Sequence, residues 1–113
     1  MIKVYGIKNC DTVKKACRWL DAQGVDYQFH DFRTDGINQA QVRTWLDQLG
    51  LDALINKRST TWKQLDDASR NNLSEKNAPE LLVANPTLIK RPLLELADRC
   101  HTGFSEADYQ QLF

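Results

Sequence analysis

The sequence predicts an α/β fold with a mixed four-stranded sheet, in the order β-α-β, helical insert, β-β-α. Three observations carry this expectation. The first 32 residues pass from strand to helix to strand periodicity. The middle of the chain shows helical stripes without strand alternation. After Pro92 apolar runs resume, and a helix-start signal follows at Ser105.

Met1 to Ile7 reads as a short strand built on Ile2, Val4 and Tyr5, with Gly6 permitting close backbone approach near its end. Lys8-Asn9-Cys10-Asp11-Thr12 has turn and helix-start chemistry, because Asn, Asp and Thr side chains satisfy free backbone N–H groups. From Thr12 to about Gln23, Val13, Ala16, Cys17 and Leu20 recur at helical spacing, and Gly24 supplies the stop. Val25, Tyr27 and Phe29 alternate with Asp26, Gln28 and His30 in a second strand ending at Phe32. Two strands joined by a helix in this span predict a parallel βαβ unit.

Residues 38–86 read as wholly helical. Val42, Trp45, Leu46 and Leu49 form one stripe closed by Gly50. Asp52 to Lys57 and Thr61 to Leu65 suggest short helices, and Ser74-Glu75 followed by Pro79 to Ala84 marks another, ended by Asn85-Pro86. Pro92 opens a third strand, for which an ordinary edge-strand proline is the simplest reading. Arg99 to Phe104 returns as its antiparallel partner, and Ser105 begins the last helix.

At 113 residues the chain fits one domain, residues 1–113, with the insertion at about 38–86. Fifteen basic residues balance fifteen acidic ones, so no field of one sign draws the whole molecule onto nucleic acid or an anionic membrane. No apolar run approaches a membrane-spanning length and no secretory signal opens the chain; a cytoplasmic location is expected. In that compartment three cysteines need not form a disulfide framework.

Cys10 is the cysteine that calls for chemistry. A thiol is a useful nucleophile as thiolate, and a helix amino terminus stabilises negative charge through unpaired N–H groups and aligned peptide dipoles. Lys8 and Lys14 stand close in sequence, whereas Asp11 adds repulsion. The competing reading is an inert turn cysteine. Cys17 falls in a helix interior and reads as core. Cys100 and His101 are strand neighbours that point to opposite faces, which argues against a catalytic pair. A Cys10–Cys17 disulfide is disfavoured, since two helical turns separate them by about 10 Å. Lys57-Arg58-Ser59-Thr60-Thr61-Trp62 is either a solvated turn or a site where Arg58 meets a carboxylate or oxyanion. His30 reads as a packed or solvated histidine. Neither CxxC nor HExxH occurs, so no metal is expected.

Tyr5-Gly6-Ile7-Lys8-Asn9-Cys10-Asp11-Thr12, Lys57-Arg58-Ser59 and Asn85-Pro86-Thr87-Leu88-Ile89-Lys90-Arg91-Pro92 together resemble the ArsC/Spx family over essentially the whole chain. The resemblance implies a thioredoxin-like fold, a nucleophilic Cys10 and a cis bond before Pro92. It implies catalytic roles for Cys10 and Arg91, and substrate binding by Lys8, Asn9, Thr12, Arg58 and Pro92. Arsenate reductases of the family surround the nucleophile with three arginines. Arg91 matches the one before the proline, and Arg58 lies near another in a shifted register. The third position falls around Thr102-Gly103 and holds no arginine; Arg99 is out of register. The activity implied is a glutathione-dependent thiol reductase acting on a small anionic or disulfide substrate, with glutathione as co-substrate and no tightly bound cofactor. The family's other branch implies an alternative, a non-catalytic regulator or adaptor that binds the RNA polymerase α subunit. Those regulators often use a CxxC switch, and here Val13 occupies its fourth position. True arsenate reduction is the third option.

Overall fold

Strand formation at the start of the chain follows from a β-branched, alternating run that can bury both faces of its centre. In the computed structural model, which describes residues 2–113, β1 spans Ile2–Gly6; Met1, expected to begin it, lies outside the described residues. The remaining elements are α1 (Asp11–Ala22), β2 (Tyr27–Asp31), α2 (Gln39–Leu49), α3 (Leu51–Leu54), α4 (Thr60–Gln64), α5 (Asp67–Asn71) and α6 (Ala78–Ala84). A 3₁₀ turn at Pro86–Leu88, β3 (Leu93–Glu95), β4 (Cys100–Thr102) and α7 (Glu106–Leu112) complete the chain. The backbone divides into two units: one takes the chain up to Asp35 together with Arg91–Phe113, the other Gly36–Lys90. The insertion is therefore wider at both ends than residues 38–86.

The first unit carries the sheet, in the order β2-β1-β3-β4. β1 and β2 are parallel from Ile2↔Tyr27 to Gly6↔Asp31, while β1–β3 and β3–β4 are antiparallel. This is the mixed, thioredoxin-like sheet that the sequence predicts. One face buries Val4 and Leu94 with Ala16 and Leu20 of α1 and Tyr109 of α7, and Tyr27, Phe29, Cys17 and Trp19 pack around them. Each large apolar side chain so buried contributes roughly 1.5–3 kcal/mol, which makes this cluster the main anchor of α1 and α7. Strand alternation places Cys100 opposite Glu95 and His101 opposite Leu94, on different faces as expected. His101 packs edge-on to Tyr109, with ring centroids 6.0 Å apart.

Several boundaries differ from the sequence expectation for local reasons. β2 starts at Tyr27 because the Val25 N–H is taken by the Leu20 carbonyl at the end of α1 (3.0 Å). β4 stops at Thr102 because Gly103 adopts φ +82°, and its N–H reaches the Pro92 carbonyl (3.0 Å). Pro92 belongs to no edge: it leads into β3, which lies between β1 and β4.

In the second unit α2 is framed by a capping box, Asn38 accepting from the Gln41 N–H and Gln41 accepting from the Asn38 N–H. Its buried stripe is Val42, Trp45 and Leu46, and the helix packs against α6. The insert is not wholly helical. The helix expected from Asp52 to Lys57 ends at Leu54, because Ile55 turns extended and bridges Ile89 antiparallel. α6 begins at Ala78, not Ser74, since Asn77 accepts from the Ser74 N–H and closes a turn there. α5 escaped the periodicity; it is one short segment capped by Asp66, which accepts from the Ser69 N–H.

Candidate active site around Cys10

The loop that carries Cys10 is built from the end of β1. Gly6 is the position where α1 comes closest: a Cβ there would stand 2.7 Å from Cγ2 of the buried Val13. Only hydrogen lets the first turn of α1 lie against the strand. The chain then turns through Lys8 and Asn9, both exposed, and Cys10 falls on the N-cap of α1 with φ −110° and ψ 120°. Cys10 thus stands at the helix start, as the sequence predicts, flanked by Asn9, Asp11 and Thr12, whose residue types mark that start. Its thiol makes no capping hydrogen bond, while its carbonyl accepts the first helical bond from the Lys14 N–H (3.0 Å). The first-turn amides are thus left unfilled by the cap side chain, and the cysteine that precedes them is half-buried. Asp11 lies in that same first turn and opposes negative charge.

The antiparallel register Tyr5↔Leu93 brings the start of β3 to the end of β1 from which this loop departs. Arg91 and Pro92 therefore enter the sheet at the end where Lys8, Asn9, Cys10 and Thr12 lie. The Arg91–Pro92 bond is cis, and Arg91 is half-buried. Gly103, φ +82°, closes the same end from β4, so a backbone turn stands where the resemblance implied a third arginine. Arg99 leads into β4 at the opposite end, where Cys100 pairs with Glu95; it is exposed, with Asp98 at 3.8 Å. Its distance from the site is topological, not a matter of side-chain reach.

Arg58 belongs to the second unit and is exposed there. Its N–H donates to Asn56 Oδ1 (3.0 Å), and Ser59 caps α4 by accepting from the Trp62 N–H (3.1 Å). Lys57 Nζ lies 5.7 Å from the Trp62 ring centroid, a cation–π contact that accounts for that basic residue locally.

The three cysteines are free thiols in different surroundings. Burial pushes the Cys17 thiol up; a hydrogen bond with Tyr27 opposes this and Asp21 reinforces it. Burial, then the Glu95 carboxylate, pushes Cys100 up to about 11. Both are held as thiols at neutral pH, which makes them poor nucleophiles.

The residue that sequence reasoning missed is Asp31, the last of β2 and 5% exposed. Burial disfavours its charge, but N–H donors from Arg33 (2.8 Å), Thr34 (3.2 Å) and Lys8 (3.3 Å), with the Lys8 charge, outweigh that and hold the carboxyl below its ordinary value. The available signal was an Asp followed by Arg33, Thr34 and Asp35 at a strand end, an Asx-turn pattern.

Similar proteins place this geometry in a family. A Haemophilus influenzae protein of uncharacterised role is 47% identical over 113 residues, spanning 100% of this chain and 99% of its own. The solved structure of a protein named YffB superposes with TM-score 0.94 at 42% identity, covering 98% of this chain and 97% of its own. An arsenate reductase (ArsC) related protein from Brucella melitensis gives 0.78 at 38% identity, covering 97% and 92%. More distant is the global transcriptional regulator Spx of Streptococcus pyogenes, 28% identical over 108 residues, 94% of this chain and 80% of the regulator. Residues 5–112 match the ArsC family throughout, and the chain belongs to that family.

Proposed function

We propose that this protein is a glutathione-dependent thiol reductase whose nucleophile is Cys10. The observation that carries the reading is the N-cap position of Cys10, a half-buried sulfur at a helix amino terminus beside the start of β3. The Cys10 thiolate attacks the glutathione sulfur of a glutathionylated substrate, forming a Cys10–glutathione disulfide and expelling the substrate thiolate. A second glutathione thiolate attacks the glutathione sulfur of this adduct, releases Cys10 and leaves as oxidised glutathione. An external thiol is required because Val13 stands where a CxxC would place the resolving cysteine. Arg91 holds an anionic group of the substrate, Pro92 shapes the edge on which it lies, and Lys8, Asn9 and Thr12 contribute donors or positive potential. Glutathione is a co-substrate, and no tightly bound cofactor is required.

A carboxylate-bearing substrate suits the site better than arsenate, because the third arginine position is occupied by the turn at Gly103. Turnover of a glutathionylated peptide with glutathione, coupled to glutathione reductase, tests this directly. Activity lost on Arg91→Ala, with arsenate giving no turnover, is the expected pattern; arsenate turnover as fast as peptide turnover contradicts it. The likeness to Spx supports a second reading, a non-catalytic partner of RNA polymerase. Recovery of the polymerase α subunit by a protein whose Cys10 is unreactive is the result that favours it.

A further inference from the structure

We infer that Asp31 is a positioning residue that holds the nucleophile loop, through the backbone of Lys8, in the geometry that presents Cys10. The inference rests on the assignment of Cys10 as the nucleophile.

The two oxygens of Asp31 divide their work. Oδ1 accepts from Arg33 N–H (2.8 Å) and Thr34 N–H (3.2 Å), closing the turn that follows β2. Oδ2 accepts from Lys8 N–H at 3.3 Å, across 23 residues of sequence. The turn has further support of its own: Asp31 N–H donates to Asp35 Oδ2 (3.0 Å), and Asp35 N–H to the Asp31 carbonyl (2.9 Å). Phe32 N–H donates to the Gly6 carbonyl (2.8 Å), fixing the strand end from which the loop leaves.

A turn alone does not explain a carboxylate here. The single carbonyl oxygen of an asparagine would serve Arg33 and Thr34 and would spare the cost of burying a charge. Only the bond to Lys8 needs the second acceptor oxygen. Lys8 lies two residues before Cys10; buried Ile7 anchors the start of the loop, but Lys8 and Asn9 are exposed, so this bond restrains the stretch between Ile7 and the N-cap. The negative charge itself works against a nearby thiolate, which argues that Asp31 acts through geometry.

Asp31→Asn is the selective test. It keeps Oδ1 for the turn and turns an NH₂ donor toward the Lys8 N–H, breaking only the bond to the loop. Iodoacetamide alkylation is followed at each cysteine by peptide mass spectrometry, on protein whose melting is checked in parallel. The expected result is Cys10 slowed about tenfold, as for loss of a hydrogen bond to a charged group, with Cys17 and Cys100 unchanged. An unchanged or faster Cys10 overturns the inference, faster being what removal of the negative charge alone would give. Faster alkylation at all three cysteines also overturns it, because it shows general loosening. Amide exchange in the unsubstituted protein decides the matter even where the variant does not fold. Lys8 N–H is expected to exchange more slowly than the N–H of exposed Asn9; equal exchange overturns the inference. Failure of the reductase reading is separately visible, as absence of a glutathione adduct on unsubstituted Cys10.

Discussion

Gly6 and Val13 set the distance between strand and helix at which Cys10 is displayed. A methyl group at position 6 would meet Cγ2 of Val13 at 2.7 Å, and a buried, β-branched valine has no free rotamer into which to withdraw. Gly6→Ala is expected to cost about 1–3 kcal/mol by overpacking. In urea denaturation the Gly6→Ala/Val13→Ala double variant should lose less than the sum of the two single losses. Simple additivity would show that the two positions do not meet. The other cysteines yield a prediction of the same scale. Because burial and Glu95 hold the Cys100 thiol at about 11, its alkylation should be slow at pH 7 and rise roughly tenfold per pH unit until that value. A plateau near pH 8, followed by mass spectrometry of the Cys100 peptide, would contradict the burial argument.

Among the elements, α7 shows how one cap secures a large side chain. Ser105 accepts from the Asp108 N–H (3.1 Å) at the start of a helix whose fully buried Tyr109 closes the core over α1. Ser105→Ala should cost about 1 kcal/mol, with the first loss of amide protection confined to Glu106–Leu112. A helix start at Ser105 was legible in the sequence because cap chemistry is local. The strand–helix–strand start was legible for a similar reason, since periodicity over a dozen residues reports which face is buried. What local pattern did not show was the end of α3, where Ile55 leaves the helix to bridge Ile89, 34 positions away (89 − 55). That pairing overrides propensity and has no signature within either segment. The place of Cys10 at the start of α1 was legible for the same reason as Ser105, from the turn and cap chemistry of Asn9, Asp11 and Thr12 around it.

For the molecule as a whole, the buried carboxylate links the candidate site to acid stability. The folded-state pKa of Asp31 lies below its ordinary value, so its contribution is present above the unfolded carboxyl value of about 4 and is lost as pH falls through the lower, folded one. Thermal melts from pH 7 to 2 should therefore fall less steeply below pH 4 for Asp31→Asn than for the unsubstituted protein. Parallel curves would mean that the carboxylate is not stabilised by its three amides. Asp31 also marks the limit of sequence reading at the site. The candidates Cys10, Arg91 and Pro92 are picked out by motif and by their place at element boundaries, but a buried acceptor is recognised by its partners, and Lys8 meets Asp31 only through the register of β1 and β2.

Oxidised glutathione provides the most direct test, applied to the unsubstituted protein and to Cys10→Ser, Cys17→Ser and Cys100→Ser, with the adduct measured by intact-protein mass spectrometry. One glutathione should be found on the unsubstituted, Cys17→Ser and Cys100→Ser proteins, and none on Cys10→Ser. Stoichiometric modification of Cys10→Ser would contradict the assignment of Cys10 as the reactive centre.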